Sequence, residues 1–162
     1  MTHPMRRHDR EISGQDEIDA ILRGGKWTTV ALADEDGPYA VTLSYGYDPD
    51  RRRLCFHAAH AGRKLDAIAR DPRACATVVR DLGYSAGACE HPFESVVMTG
   101  TMRVVDDPDD RREAMRTLIG GLEGDGGIDS VWERNGLDSE TPFRRMSVLV
   151  FEIERMTAKR GR

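Results

Sequence analysis

The residues with the clearest chemical potential are Gly62, Arg63 and Lys64. They lie in the block Leu54-Cys55-Phe56-His57-Ala58-Ala59-His60-Ala61-Gly62-Arg63-Lys64-Leu65-Asp66. The block predicts a strand that ends in small residues, a turn at Gly62, and a helix whose first turn carries two cations. Backbone N–H groups at a helix start lack intrahelical partners, and the helix dipole places partial positive charge there. Arg63 can grip a phosphate with a forked pair of hydrogen bonds, Lys64 adds a compact charge, and Gly62 lets the backbone come close. The chemistry this predicts is binding of a phosphate. The plain alternative is a solvated basic turn, because short motifs of this kind occur by chance.

Strands must position that turn. Helical periodicity in Ile18, Ile21 and Leu22, with Ser13 as N-cap, predicts a helix that stops at Gly24-Gly25. Residues 27–33, 39–47 and 53–59 are expected as three strands joined by the turns Asp34-Glu35-Asp36-Gly37-Pro38 and Asp48-Pro49-Asp50, hence an antiparallel meander. A short helix over 63–70 closes at Pro72, and a strand follows over 74–79. Residues 81–91 predict a loop and 93–105 a long strand. Asp106-Asp107-Pro108 then starts a helix to about Leu118. The glycine-rich stretch 119–140 is expected as a mobile excursion around Trp132, and 146–156 as the last strand. Six strands at short turn spacing, with few helices between them, predict a mainly β chain closed into a barrel.

The 162 residues fit one domain, 1–162, with residues 1–10 as a tail. Charged residues make up 32% and the net charge is −4, which suits a globular protein and argues against a general nucleic-acid binder. No apolar run approaches the roughly 20 residues of a bilayer span, and the basic start lacks the apolar segment of a secretory signal. Cys55, Cys75 and Cys89 contain no C-x-x-C pair, so neither a disulfide framework nor a metal site is signalled. A cytoplasmic location with reduced thiols is the expectation.

Three segments carry a family resemblance: Gly37-Pro38-Tyr39-Ala40-Val41-Thr42-Leu43-Ser44-Tyr45-Gly46-Tyr47, the Phe56-His57-Ala58-Ala59 block with Gly62-Arg63-Lys64, and Asp71-Pro72-Arg73-Ala74-Cys75. Together they resemble the pyridoxamine 5′-phosphate oxidase-like FMN-binding split barrels, most of all the nitroimidazole-resistance flavoproteins. Met5-Arg6-Arg7-His8-Asp9-Arg10-Glu11 and Ser95-Val96-Val97 followed by Gly100 extend the likeness to nearly the whole chain. The resemblance implies a six-stranded antiparallel split β-barrel and a homodimer, with one FMN in each of two clefts between the subunits. It implies that Arg63 and Lys64 hold the FMN phosphate and that His57, Ala58 and Ala59 line the approach to it. Val41, Thr42, Leu43 and Ser44 would run beside the flavin ring, meeting its edge through backbone groups, and Ser95 and Val96 match the family's flavin-side strand. The likeness stops at the last residues, which lack the Trp- and Arg-rich segment with which true pyridoxamine phosphate oxidases bind substrate; that oxidation is not expected. Ala58-Ala59 also lacks a hydroxyl that relatives often place near the phosphate.

His57 is the one candidate catalytic residue, as a proton donor, a gate or a haem ligand; the alternative is a histidine that only packs. His60 and His91 are expected in loops and His3 in the tail. Trp132 either stacks on the flavin or anchors its loop. Arg51-Arg52-Arg53 is expected as a solvated hairpin partly paired with Asp48 and Asp50. The expected function is FMN-dependent reduction of a small electrophile such as a nitroaromatic. The alternatives are a flavin- or haem-binding protein that stores, senses or carries, and a deazaflavin-dependent relative. No G-x-G-x-x-G run marks a nicotinamide site.

Overall fold

The structure, a computed structural model, describes residues 5–161; His3 lies outside them. Its strands are β1 (Glu11–Ile12), β2 (Trp27–Asp34), β3 (Gly37–Ser44), β4 (Gly46–Asp48), β5 (Arg53–Ala59), β6 (Arg73–Asp81), β7 (Phe93–Val104) and β8 (Met146–Gly161). The helices are α1 (Gln15–Gly24), α2 (Arg63–Arg70), α3 (Pro108–Glu123) and α4 (Ile128–Arg134). All recorded pairings are antiparallel, in the order β3-β2-β6-β7-β8-β5-β4, with β1 added beside β8.

The sheet has to curl. β3 and β4 are its opposite edges, yet only Tyr45 separates them in the chain. Ser44 pairs with Trp27 on β2, whereas Gly46 pairs with Cys55 on β5. The strand expected over 39–47 is therefore one extended run that changes partners at Tyr45, and the expected three-strand meander is replaced by two hairpins at opposite edges. Local turn signals cannot distinguish these arrangements, because the partner switch is a long-range choice. The sheet has eight strands rather than six, the additions being short β1 and the separated β4. Tyr45 is itself buried, and its hydroxyl donates to the Leu22 carbonyl at 2.5 Å, tying the crossing point to the end of α1.

Alternation along each strand sorts side chains to two faces. Leu54, Phe56, Val78, Val96, Met98, Leu149 and Phe151 fill the barrel interior, where Ile18, Ile21 and Leu22 of α1 join them. Cys55, Val148 and Val150 point outward into a second apolar cluster with Met115, Leu118, Ile119, Trp132 and Phe143. So α3 and α4 cover one half of the barrel's outer surface.

The stretch expected as a mobile excursion is this cover. α3 runs five residues past Leu118, and Trp132 is buried with its Nε1–H donating to Asp138 at 2.8 Å. Trp132 thus anchors its segment inside the second cluster. Gly121 serves close approach here: a Cβ on it would come within 2.9 Å of Gly46 Cα, where α3 crosses β4. Asp107 caps α3 through the N–H groups of Asp109 and Asp110, with Pro108 in the first turn. The expected Ser13 cap is not used; Gly14 occupies that position and no side chain bonds there.

Arg53 also departs from expectation. Its side chain is 2% exposed, with Nε donating to Asp48 at 3.2 Å and Nη1 to Asp110 at 2.5 Å. Arg51, its neighbour in the basic run, stays half exposed and pairs with Glu113 of α3.

Candidate functional site: an open helix start beside an uncharged sheet face

Gly62 precedes α2 with φ +130°, in the region that favours glycine, and a Cβ built there would meet nothing within 4 Å. The approach to the helix start is therefore open. No side chain caps α2; the Leu65 and Asp66 N–H groups reach back to the Gly62 carbonyl at 2.8 and 3.3 Å. The N–H groups of Arg63 and Lys64 have no partner among the described residues.

Arg63 is held from two sides. Its Nε donates to the carboxylate of Asp34 at the end of β2, and the guanidinium carbon sits 4.6 Å above the centre of the Tyr39 ring on β3. Neither Nη group has a protein partner among the described residues, and the side chain is 54% exposed. The Arg63 hydrogen bond, with a second from the Glu35 N–H, holds the Asp34 carboxyl below the ordinary carboxylate range. Sequence reasoning missed Asp34 and Tyr39, because an acidic turn and a strand tyrosine carry no sign that they converge on a residue beyond the next hairpin.

The other sequence candidates fall on three surfaces. Thr42 is exposed on the uncovered outer face of the barrel, its hydroxyl 3.2 Å from that of Thr29. Val41 and Leu43 alternate with it and are half-buried, while Ser44 ends the strand opposite Trp27. β3 pairs only with β2, so about half of its backbone N–H and C=O groups face away from any strand. Ser95 shares the outer face through its partner Val79; it is buried, and its hydroxyl has no partner among the described residues. The Val96 side chain is inside the barrel core.

β5 divides the remaining trio. Ala58 points into the barrel core, whereas His57 and Ala59 face the α3 side. His57 stands at the rim of an apolar cleft of about 240 Å³ lined by Met115, Leu118, Ile119, Leu122 and Met146. The three side chains therefore do not line one approach. His60 Nδ1 lies 3.1 Å from Ser147 Oγ, and His91 Nε2 lies 2.9 Å from the Asp81 carboxylate. Cys55 is a packing residue, its thiol pushed up to about 12 by burial.

Cross-strand rows define the uncovered face. One row runs Thr42, Thr29, Thr77, Val97 and Thr157; the next runs Ala40, Ala31, Cys75, Thr99 and Arg155. Trp27, Val79 and Val97 are exposed by 63%, 55% and 40% on it. From β3 to β7 these rows carry no charge, in a chain that is 32% charged. Among the described residues, no three His, Cys, Asp or Glu side chains cluster as metal ligands, and no helix is long and apolar enough to cross a membrane.

Comparison with known proteins gives this arrangement a context. A candidate 5-nitroimidazole antibiotic resistance protein from Bacteroides thetaiotaomicron has a similar structure, with TM-score 0.72 at 19% identity over 98% of this chain and 96% of that one. The flavocytochrome Anf3 from Azotobacter vinelandii superposes with TM-score 0.77 at 22% identity, over 99% of this chain and 73% of that one. HutZ, a haem storage protein from Vibrio cholerae, gives 0.60 at 14% identity, over 90% and 94%. No curated protein sequence matches the chain. At these identities the likeness is one of fold, a split barrel with short helices. The sequence pattern of the pyridoxamine 5′-phosphate oxidase family, however, matches residues 14–160, and on that match the chain belongs to the pyridoxamine 5′-phosphate oxidase family.

Proposed function

We propose that this chain is an FMN-binding protein that acts as a flavin-dependent reductase of a small electrophile, a nitroaromatic being the representative substrate. The observation that carries the reading is the start of α2: an open glycine at φ +130°, unpaired backbone N–H groups, and an arginine whose outer nitrogens are unoccupied. This donor set suits a phosphate monoester, which accepts several charge-assisted hydrogen bonds at once. Lys64 adds charge beside it. The residues present therefore fit the phosphate end of FMN, even though Ala58 and Ala59 offer no hydroxyl.

The ring end fits the edge of β3. Unpaired backbone groups of Val41 to Ser44 can meet the polar rim of a flavin, while the face from Thr42 to Val97 gives its plane an uncharged surface of threonine and valine side chains. Trp27, Val79 and Val97 would be left in water in a single chain, and an uncharged patch of this kind marks an interaction surface. We assign it to a homodimer in which each subunit closes the other's flavin cleft, bringing the partner's outer face over the ring. A bound flavin supplies the hydride or single-electron chemistry. The chain fixes the phosphate, presents backbone donors to the ring, and excludes water from one side of it.

His57 has a smaller part in this reading. It can lend a proton or hydrogen bond to a substrate that enters from the α3 side, above the apolar cleft. At about 240 Å³ that cleft is below the roughly 300–1,000 Å³ of sites for drug-sized ligands, which disfavours a haem there. The deciding experiment is anaerobic turnover of the flavin-loaded protein with a reduced nicotinamide and a nitroaromatic acceptor. Steady nicotinamide oxidation that depends on the acceptor supports the reductase. A bound flavin that dithionite reduces, but that never turns over with the pair, would instead mean a storage or carrier protein.

A further inference from the structure

The geometry points to Asp34 and Tyr39 as positioning residues that hold Arg63 in the orientation needed for a phosphate monoester. The inference rests on the phosphate reading of the α2 start and goes beyond it by assigning selectivity between phosphorylated and unphosphorylated ligands. A free arginine at a turn samples many rotamers, and fixing it on binding costs side-chain entropy. Here that freedom is already removed. Asp34, whose carboxylate is only 12% exposed, takes the Nε–H; Tyr39 supports the flat face of the guanidinium 4.6 Å from its own ring centre.

What the two residues leave alone is as telling. An acid competing for Arg63 would occupy the outer fork, where Nη1 and Nη2 lie side by side. Asp34 bonds the inner nitrogen instead, and both Nη groups lack a protein partner among the described residues. The edge presented to solvent is the one that matches two phosphate oxygens. Asp34 is in turn fixed by the Glu35 N–H, which donates to its Oδ1 at 2.7 Å while Oδ2 takes Arg63. The carboxylate's two oxygens thus have separate tasks, one shaping the hairpin turn and one holding the arginine.

The test is the affinity for FMN against that for riboflavin, which lacks only the phosphate, measured by fluorescence quenching with wild type, Asp34→Ala, Tyr39→Leu, Arg63→Ala and the Asp34→Ala/Arg63→Ala pair. The proposal expects Asp34→Ala to weaken FMN about tenfold, Tyr39→Leu several-fold, and neither to change riboflavin binding. Asp34→Asn keeps a single acceptor oxygen, enough for the Glu35 N–H that shapes the turn but not for Arg63 as well, and is expected to lose FMN affinity as Asp34→Ala does, separating the contact from any damage to the turn. In the Arg63→Ala background the Asp34→Ala effect should vanish, since a positioning residue acts only through the residue it positions. Tighter FMN binding in Asp34→Ala would overturn the proposal by making Asp34 a competitor. Equal loss of FMN and riboflavin would overturn it by making the role structural. If Arg63→Ala itself leaves FMN affinity unchanged, the phosphate reading fails and takes this proposal with it. A normal loss in Arg63→Ala with none in Asp34→Ala defeats the positioning role alone.

Discussion

Arg53 on β5 and Asp110 in the first turn of α3 form a buried ion pair, Nη1 to Oδ1 2.5 Å, that pins the helical cover to the barrel. The arginine is 2% exposed, and Asp48 takes its Nε at 3.2 Å. Truncating Arg53 takes the main partner from Asp48 and Asp110, although Arg103 at 3.1 Å and Arg51 at 3.3 Å still reach Asp110, a cost of about 1–3 kcal/mol. Arg53→Ala is therefore expected to lower the denaturant midpoint by a corresponding amount, whereas Arg51→Ala, half exposed two residues earlier, should cost under about 1 kcal/mol. Equal effects would mean the buried arginine adds nothing special.

The same pair gives stability a pH dependence. Burial alone would raise the Asp110 carboxyl, but hydrogen bonds from Arg53 and Arg103 hold it below the ordinary carboxylate range. A depressed folded-state value means the stabilisation is present in full above the unfolded carboxylate value, about 3.9, and is lost as pH falls through the lower folded value. Asp34, depressed by Arg63, acts in the same direction. Acid unfolding below about pH 4 is expected to be less steep in Asp110→Asn than in wild type; an unchanged acid limb would contradict the assignment.

Where the strand changes partners, the backbone leaves no room. A Cβ on Gly46 would run into the Thr117 carbonyl and lie 2.6 Å from Leu118 Cα, both backbone atoms of α3 that cannot rotate away. Gly46→Ala is expected to cost about 3 kcal/mol, at the upper end for overpacking. Tyr45→Phe, which loses only the hydroxyl bond to Leu22, should cost about 1 kcal/mol, most of it as lowered thermal stability.

The uncharged face offers a test of assembly that does not depend on the flavin. Val79 and Val97 are exposed in the single chain, so glutamates there should fold normally. Val79→Glu/Val97→Glu is expected to halve the mass seen by light scattering and to weaken FMN binding with it. A variant that remains dimeric with its flavin would move the interface elsewhere.

Much of this architecture was legible in the chain because it is local. Gly62 before Arg63 marked the start of α2, Asp107-Pro108 marked α3, and the apolar run from Met146 marked the last strand. The failures share a long-range cause. Gly120 and Gly121 signal a break in sequence, but in space Gly121 lets α3 cross Gly46 and Gly120 faces Ile128 of α4. Arg53 looks solvated beside Asp48 until Asp110 arrives from 57 residues away. For the candidate site, the phosphate end was readable as a motif, whereas the hold of Asp34 and Tyr39 on Arg63 exists only once β2, β3 and α2 meet.

The most direct test of the central claim is the absorption spectrum of the purified protein, with the released cofactor identified by mass, for wild type and for Arg63→Ala/Lys64→Ala. Wild type is expected to show a flavin spectrum with the mass of FMN, and the double variant to fold without it. A deazaflavin mass would keep the phosphate site and change the cofactor. Full FMN occupancy in the double variant, or a colourless wild type that takes up no added FMN, would contradict the assignment of the Gly62–Lys64 turn as the cofactor's phosphate site.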